Sequence, residues 1–132
     1  MVIKNKLTPV EWEIMETIWK LGNARSIREV LEHAFPNGEK AYTTVQTIMN
    51  TLQKKGLLNR VKIGLVHFYT PSRTRDELIR AEMSSLLSRV FDGSIPALAN
   101  SLLSLDSLSI EEIEQIKLLL KQKEDQLKGD PS

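Results

Sequence analysis

The chain is predicted to be mainly α-helical: three helices and a two-stranded wing in the order of a winged helix-turn-helix, then a helical dimerisation region. Three observations carry this expectation. Helix-start signals recur at Thr8, Ser26, Thr74 and Ser109. The hydrophobic period changes from that of a helix to that of a strand over residues 57–70, then changes back. Basic charge is concentrated in one middle segment.

Each element has a local cause. Thr8-Pro9-Val10-Glu11 is a capping box with proline at the first helical position. The helix it opens sets Trp12, Met15, Ile18 and Trp19 on one face as core, and Gly22 is its stop. Ser26-Ile27-Arg28-Glu29 opens a second, short helix with Ile27, Val30, Leu31 and Ala34 inward, broken by Pro36-Asn37-Gly38. A third helix spans residues 41–54 and exits at Gly56, without an obvious N-cap.

That third helix is the most informative segment. Val45, Ile48, Met49 and Leu52 form its apolar stripe, while the opposite face carries Thr, Gln and Asn where Glu and Lys are usual. Threonine is a weak helix former, so this face gives up intrinsic helicity. In exchange it offers short donors and acceptors suited to phosphate oxygens and base edges.

Residues 57–62 and 66–70 are β-branched, aromatic and aliphatic, with Gly64 between them and Pro71 after, which reads as a hairpin with a basic tip. Residues 39–75 hold seven basic groups against Glu39 alone, a balance of +6. Residues 76–132 hold six basic and eleven acidic groups, a balance of −5. A polyanionic partner for one end of the chain follows.

Thr74-Arg75-Asp76-Glu77 opens a further helix ended by Asp92-Gly93-Ser94, and residues 95–105 form a short one. Ser109-Ile110-Glu111-Glu112 opens the last, with Ile113, Ile116, Leu120 and Leu127 at near-heptad spacing, before a disordered tail from Gly129 to Ser132. The boundary between two domains is placed at residues 71/72. Residues 72–132 carry too many apolar side chains for a solvated appendage and are too few for a core of their own. Two copies are therefore expected to bury Leu78, Ile79, Met83, Leu86, Leu87, Val90, Ile113, Ile116 and Leu120 against each other, as a homodimer.

Composition narrows the class. At 132 residues, with 41% hydrophobic and 27% charged residues, the chain suits one or two small globular units. It has no apolar run of membrane-spanning length, and its first six residues lack a signal-peptide core, so a cytoplasmic protein without membrane insertion is expected. The absence of cysteine excludes disulfides, thiol nucleophiles and thiolate metal sites. His33 and His67 fall on different elements and lack supporting ligands. No phosphate loop or nucleophile elbow is present, and Glu111, Glu112 and Glu114 suit a helix start. Neither an enzyme nor a cofactor is expected.

The chain resembles the penicillinase repressor family (BlaI/MecI/CopY type), bacterial winged-helix repressors with a helical dimerisation tail. The matching residues are Leu7 to Met15, Ile18-Trp19, Ala41 to Thr47, Leu52 to Leu57 and Phe68-Tyr69. The resemblance implies a double-stranded DNA operator read by Thr43, Thr44, Gln46, Thr47 and Asn50; Tyr42, at the start of the same helix, either packs there or stacks toward a backbone sugar of the DNA. Lys54, Lys55, Arg60 and Lys62 would serve mainly on phosphates. Some relatives carry Lys at the position of Thr43 and Arg at that of Gln46, so operator preference does not transfer. One regulatory scheme in the family involves a membrane sensor protease system and cleavage after an Asn followed by Phe; the comparable bond here is Asn100–Ser101. A second scheme uses copper on a Cys-rich tail, which a cysteine-free chain excludes.

A competing expectation is a winged-helix protein-interaction module in which the third helix docks on a protein. The basic middle segment and the scarcity of exposed aromatic or Arg residues on that helix favour DNA.

Overall fold

A computed structural model describes residues 7–129; the first six residues and the end of the expected disordered tail, Asp130–Ser132, lie outside the described residues. The element order is α1 (Pro9–Leu21), α2 (Ile27–Ala34), α3 (Tyr42–Lys54), β1 (Leu58–Ile63), β2 (Val66–Pro71), α4 (Arg75–Phe91), α5 (Ile95–Leu103) and α6 (Ile110–Gly129). The chain divides into two compact units, one ending at Leu86 and the other beginning at Leu87.

The four capping boxes form as expected. In each, a Thr or Ser hydroxyl accepts from the backbone N–H three residues on, while the Glu there accepts from the cap's own N–H. The pairs are Thr8 with Glu11, Ser26 with Glu29, Thr74 with Glu77 and Ser109 with Glu112. Each satisfies two backbone donors that a bare helix start leaves orphaned.

The first unit has a core of Ile14, Met15, Ile18, Ile27, Val30, Phe35, Val45, Met49, Leu52, Leu57, Leu58, Tyr69 and Leu78. Helix α1 therefore buries Ile14, Met15 and Ile18. Trp12 and Trp19, expected in the core, are only partly buried at its edge. Their rings lie 6.1 Å apart, and Trp19 Nε1 donates to the Arg73 carbonyl at 3.0 Å. An indole needs a polar partner, and the edge position supplies one.

Helix α3 ends in a Schellman turn. The Leu57 N–H donates to the Leu52 carbonyl and the Gly56 N–H to Gln53, with Gly56 at φ +81°. Leu52 and Leu57 are both buried, the apolar contact that accompanies this turn. The chain then enters an antiparallel hairpin pairing Leu58 with Pro71 through Ile63 with Val66. The two-residue turn is Gly64-Leu65, with Gly64 at φ +65° as a type II′ turn demands of its first central residue. A further bridge joins Tyr69 of β2 to Arg25, ahead of α2.

Two expectations about the second half are corrected. Leu78 is 1% exposed within the first unit's core, so it has no free face for a partner copy. The boundary at 71/72 falls inside that unit, which runs on to Leu86. The physical reason is that the start of α4 is tied to α1: Leu78 fills the core, and Arg75 Nε lies 2.8 Å from Glu16 Oε1.

In the second unit, neither α5 nor α6 has a buried residue. Ile95, Leu102, Leu103, Leu105, Ile110, Leu118, Leu119, Leu120 and Leu127 are all more than half exposed. Of the other side chains expected at the dimer seam, Met83 and Val90 are exposed, while Ile79, Leu86, Leu87, Ile113 and Ile116 are half-buried. Among the described residues, no helix is long and apolar enough to cross a membrane.

Candidate nucleic-acid interface

Helix α3 has two chemically distinct faces. Val45, Met49 and Leu52 are buried, whereas Tyr42, Thr43, Thr44, Gln46 and Thr47 are exposed. Among the described residues, the side chains of Thr43, Thr44, Gln46 and Thr47 make no hydrogen bond inside the protein. Thr17 of α1 behaves differently, its hydroxyl donating back to the Glu13 carbonyl at 2.9 Å. A helical threonine can either bond back to such a backbone acceptor or point to solvent. Those of α3 keep their hydroxyls uncommitted.

The start of α3 also departs from the other helices. Ala41 is the N-cap and provides no side-chain hydrogen bond, and the first turn has no acidic residue. The other five helices each begin with a Thr or Ser hydroxyl accepting from the backbone. The orphaned N–H groups and the positive dipole end of α3 are thus left for solvent or an anion. Beside them the Arg28 guanidinium lies 5.0 Å from the centroid of the Tyr42 ring, a cation–π contact that joins α2 to α3. Sequence reasoning missed Arg28, because nothing local links residues 28 and 42.

The basic segment is less free than its sequence implies. Lys55 Nζ lies 3.0 Å from both carboxylate oxygens of Glu11, and the two side chains are only 19% and 7% exposed. The expected phosphate role of Lys55 is corrected, since its charge is committed to holding α3 on α1. Arg75 is similarly paired with Glu16. Lys40, Lys54 and Lys62 are exposed, and among the described residues no carboxylate pairs with them.

Arg60 on β1 faces α3, its Nη1 donating to Asn50 Oδ1 at 3.1 Å. The same oxygen accepts from the Tyr69 hydroxyl at 2.8 Å. The hairpin tip is not basic. Leu65 occupies it at 93% exposure, flanked by exposed Ile63, Val61 and Val66. The pairing register explains this: Lys62 sits opposite His67 on the face of Arg60 and Tyr69, while Val61 and Ile63 share the other face. His33 is on α2, with Nδ1 2.9 Å from the Glu29 carbonyl oxygen, and His67 is on β2. Asn100 and Ser101 are exposed in the middle of α5.

Three helices, a short turn into an outward-facing third helix and a hairpin braced against it define a winged helix-turn-helix protein. The chain belongs to the penicillinase repressor family, whose model matches residues 7–122. Members of that family are transcriptional repressors and not enzymes. The chain is similar to the penicillinase repressor of Bacillus licheniformis, with 31% identity over 117 residues, 89% of this chain and 91% of that one. It is also similar to the methicillin resistance regulatory protein MecI of Staphylococcus aureus, with 24% identity over 118 residues, 89% of this chain and 95% of that one. Among solved structures, the DNA binding domain of the repressor BlaI matches at a TM-score of 0.50 with 31% identity, covering 58% of this chain and 93% of that one.

Proposed function

We propose that the protein is a homodimeric, DNA-binding transcriptional repressor acting in the cytoplasm, and that it reads a palindromic operator through α3 and the wing. The observation that carries this reading is the exposed α3 face of Thr43, Thr44, Gln46 and Thr47, whose side chains have no hydrogen-bond partner among the described residues. A helix that spends threonines, without back-bonding them, on an exposed face has the chemistry of a base-edge and phosphate reader. The direct contacts assigned are Tyr42, Thr43, Thr44, Gln46 and Thr47, with Lys54, Lys62 and Arg60 on phosphates. The bare start of α3 adds backbone N–H donors. Family membership and the likeness to a DNA binding domain of a repressor support the same reading.

The dimer is proposed because α5 and α6 carry leucines that are more than half exposed. Two-fold symmetry would place two α3 helices on half-sites about one helical turn apart, or a multiple of it. Release is proposed to follow a signal, with a membrane sensor protease system as partner and Asn100–Ser101 as the bond cut. Because that bond lies inside α5, the helix must open locally before a protease can take it. A fragment ending at Asn100 in induced cells is the expected product, and an intact chain throughout induction contradicts this part.

One observation favours a protein-interaction module instead: the apolar wing face of Val61, Ile63 and Leu65. A gel-shift titration on genomic DNA fragments at two salt concentrations separates the readings. Retardation that weakens steeply with salt supports the repressor. No retardation at low salt supports the interaction module.

A further inference from the structure

The contact between α3 and the wing has a consequence for how DNA is read. Asn50 is half-buried on α3, and its Oδ1 accepts two hydrogen bonds, from the Tyr69 hydroxyl at 2.8 Å and from Arg60 Nη1 at 3.1 Å. A guanidinium has donors only, so the amide oxygen and not the nitrogen must face Arg60. With that oxygen fixed, the tyrosine hydroxyl donates to it, and both lone pairs of Oδ1 are used. Bidentate recognition of adenine by asparagine needs one acceptor and one donor from the same amide. In Asn50 the acceptor is already taken.

The pair is also held from behind. Tyr69 is 1% exposed and sits opposite Arg60 in the hairpin. Its backbone N–H donates to the Arg25 carbonyl at 2.8 Å, and its carbonyl accepts from the Arg25 N–H at 3.0 Å. Arg25 is anchored in turn, its side chain donating to the carbonyls of Leu21 and Gly22 and to Glu29. The Tyr69 hydroxyl is therefore a fixed post. Asn50 rests on it and holds the exposed Arg60; among the described residues, four of the five N–H donors of that guanidinium are left for another acceptor.

We infer that Asn50 is a positioning residue and not a base reader: braced by Tyr69, it pins Arg60 of the wing against the recognition helix and so presents that guanidinium to a DNA phosphate. The wing and α3 then engage DNA as one rigid head. The inference rests on the DNA-reading function proposed above.

The test is the salt dependence of binding to a fluorescein-labelled, mixed-sequence duplex, followed by anisotropy. The proteins are the full chain and its Arg60→Ala, Asn50→Ala and doubly substituted Asn50→Ala/Arg60→Ala forms. Losing one phosphate contact lowers the magnitude of the log–log salt slope by roughly 0.9 for each subunit bound. Arg60→Ala should show that loss, Asn50→Ala should show most of it, and the double variant should match Arg60→Ala alone. Such non-additivity is what action through a shared partner requires. An Asn50→Ala slope equal to the unsubstituted protein's overturns the inference, as do additive losses. Should Asn50→Ala fold poorly because the Tyr69 hydroxyl loses its acceptor, Asn50→Ala/Tyr69→Phe removes both partners and is read in its place. Failure of the unsubstituted protein to bind at low salt refutes instead the DNA-reading function on which the inference rests.

Discussion

Neighbouring lysines at the end of α3 have opposite duties. Lys54 is exposed, whereas Lys55 grips a Glu11 carboxylate that is itself a capping-box member and almost fully buried. Removing one partner of a buried, hydrogen-bonded charge leaves the other unpaired. Lys55→Ala should therefore cost about 2 kcal/mol of stability, read as a lower urea midpoint with an unchanged m-value. Lys54→Ala should leave that midpoint within about 0.5 kcal/mol and lower DNA affinity on all sequences alike. Equal midpoints for the two variants would show that the Glu11 contact contributes nothing. Leu78 invites a similar contrast: Leu78→Ala should cost about 3 kcal/mol by cavity formation, without changing the assembly state. Neither assignment was legible in the sequence. Lys55 and Glu11 are 44 residues apart, and Leu78 has the same helical spacing as the side chains thought to meet a second copy.

At the scale of elements, what was legible is what is local. Capping boxes span four residues, so the starts of α1, α2, α4 and α6 could be read directly, as could the glycine exit of α3. The wing was legible as a hairpin, but its basic tip was not correct, because which residues share a face depends on pairing register. The Asn50–Tyr69–Arg60 cluster joins α3 to two strands and left no sequence signal.

The capping carboxylates make a pH prediction. The Ser26 backbone N–H, with the Arg25 guanidinium assisting, holds the Glu29 carboxyl below its usual value of 4.5, and the Thr74 backbone N–H does the same for Glu77. A carboxylate whose pKa is lower in the folded state stabilises it above the unfolded value. That contribution is lost as pH falls below about 4.5 through the lowered folded value. Glu29→Gln should thus lower Tm at pH 7 and lower it less at pH 3.5, the two melting curves converging in acid. A constant gap between them would remove the charge from the explanation. For α3 itself, Ala41→Ser should supply the missing cap and raise stability by about 1 kcal/mol. Ala41→Asp should also stabilise, yet weaken DNA binding through repulsion of the phosphates; equal affinity for the Ser and Asp variants would place the phosphates elsewhere.

For the whole molecule, the two units have different physical status. The first has a closed core, while α5 and α6 have no fully buried residue and most of their leucines are exposed. Exposed leucine on this scale is unfavourable unless another surface covers it. Light scattering on the eluting protein should give twice the 15.0 kDa chain mass, falling toward one chain for Leu119→Glu/Leu120→Glu. A single-chain mass for the unsubstituted protein would remove the dimer. With Lys55 committed to Glu11, about three phosphate contacts per subunit remain, and the salt slope of a dimer should be roughly −5.

Selection of the protein's preferred sites from a pool of random-sequence duplexes, followed by sequencing, tests whether two α3 helices of a dimer read DNA. A two-fold reading head should enrich an inverted repeat with half-site centres about 10 base pairs apart or a multiple of that. Thr44→Ala or Gln46→Ala should shift base preference symmetrically in both half-sites. Enrichment of no sequence at all, or of a site without inverted symmetry that those variants leave unchanged, would contradict two-fold reading by α3.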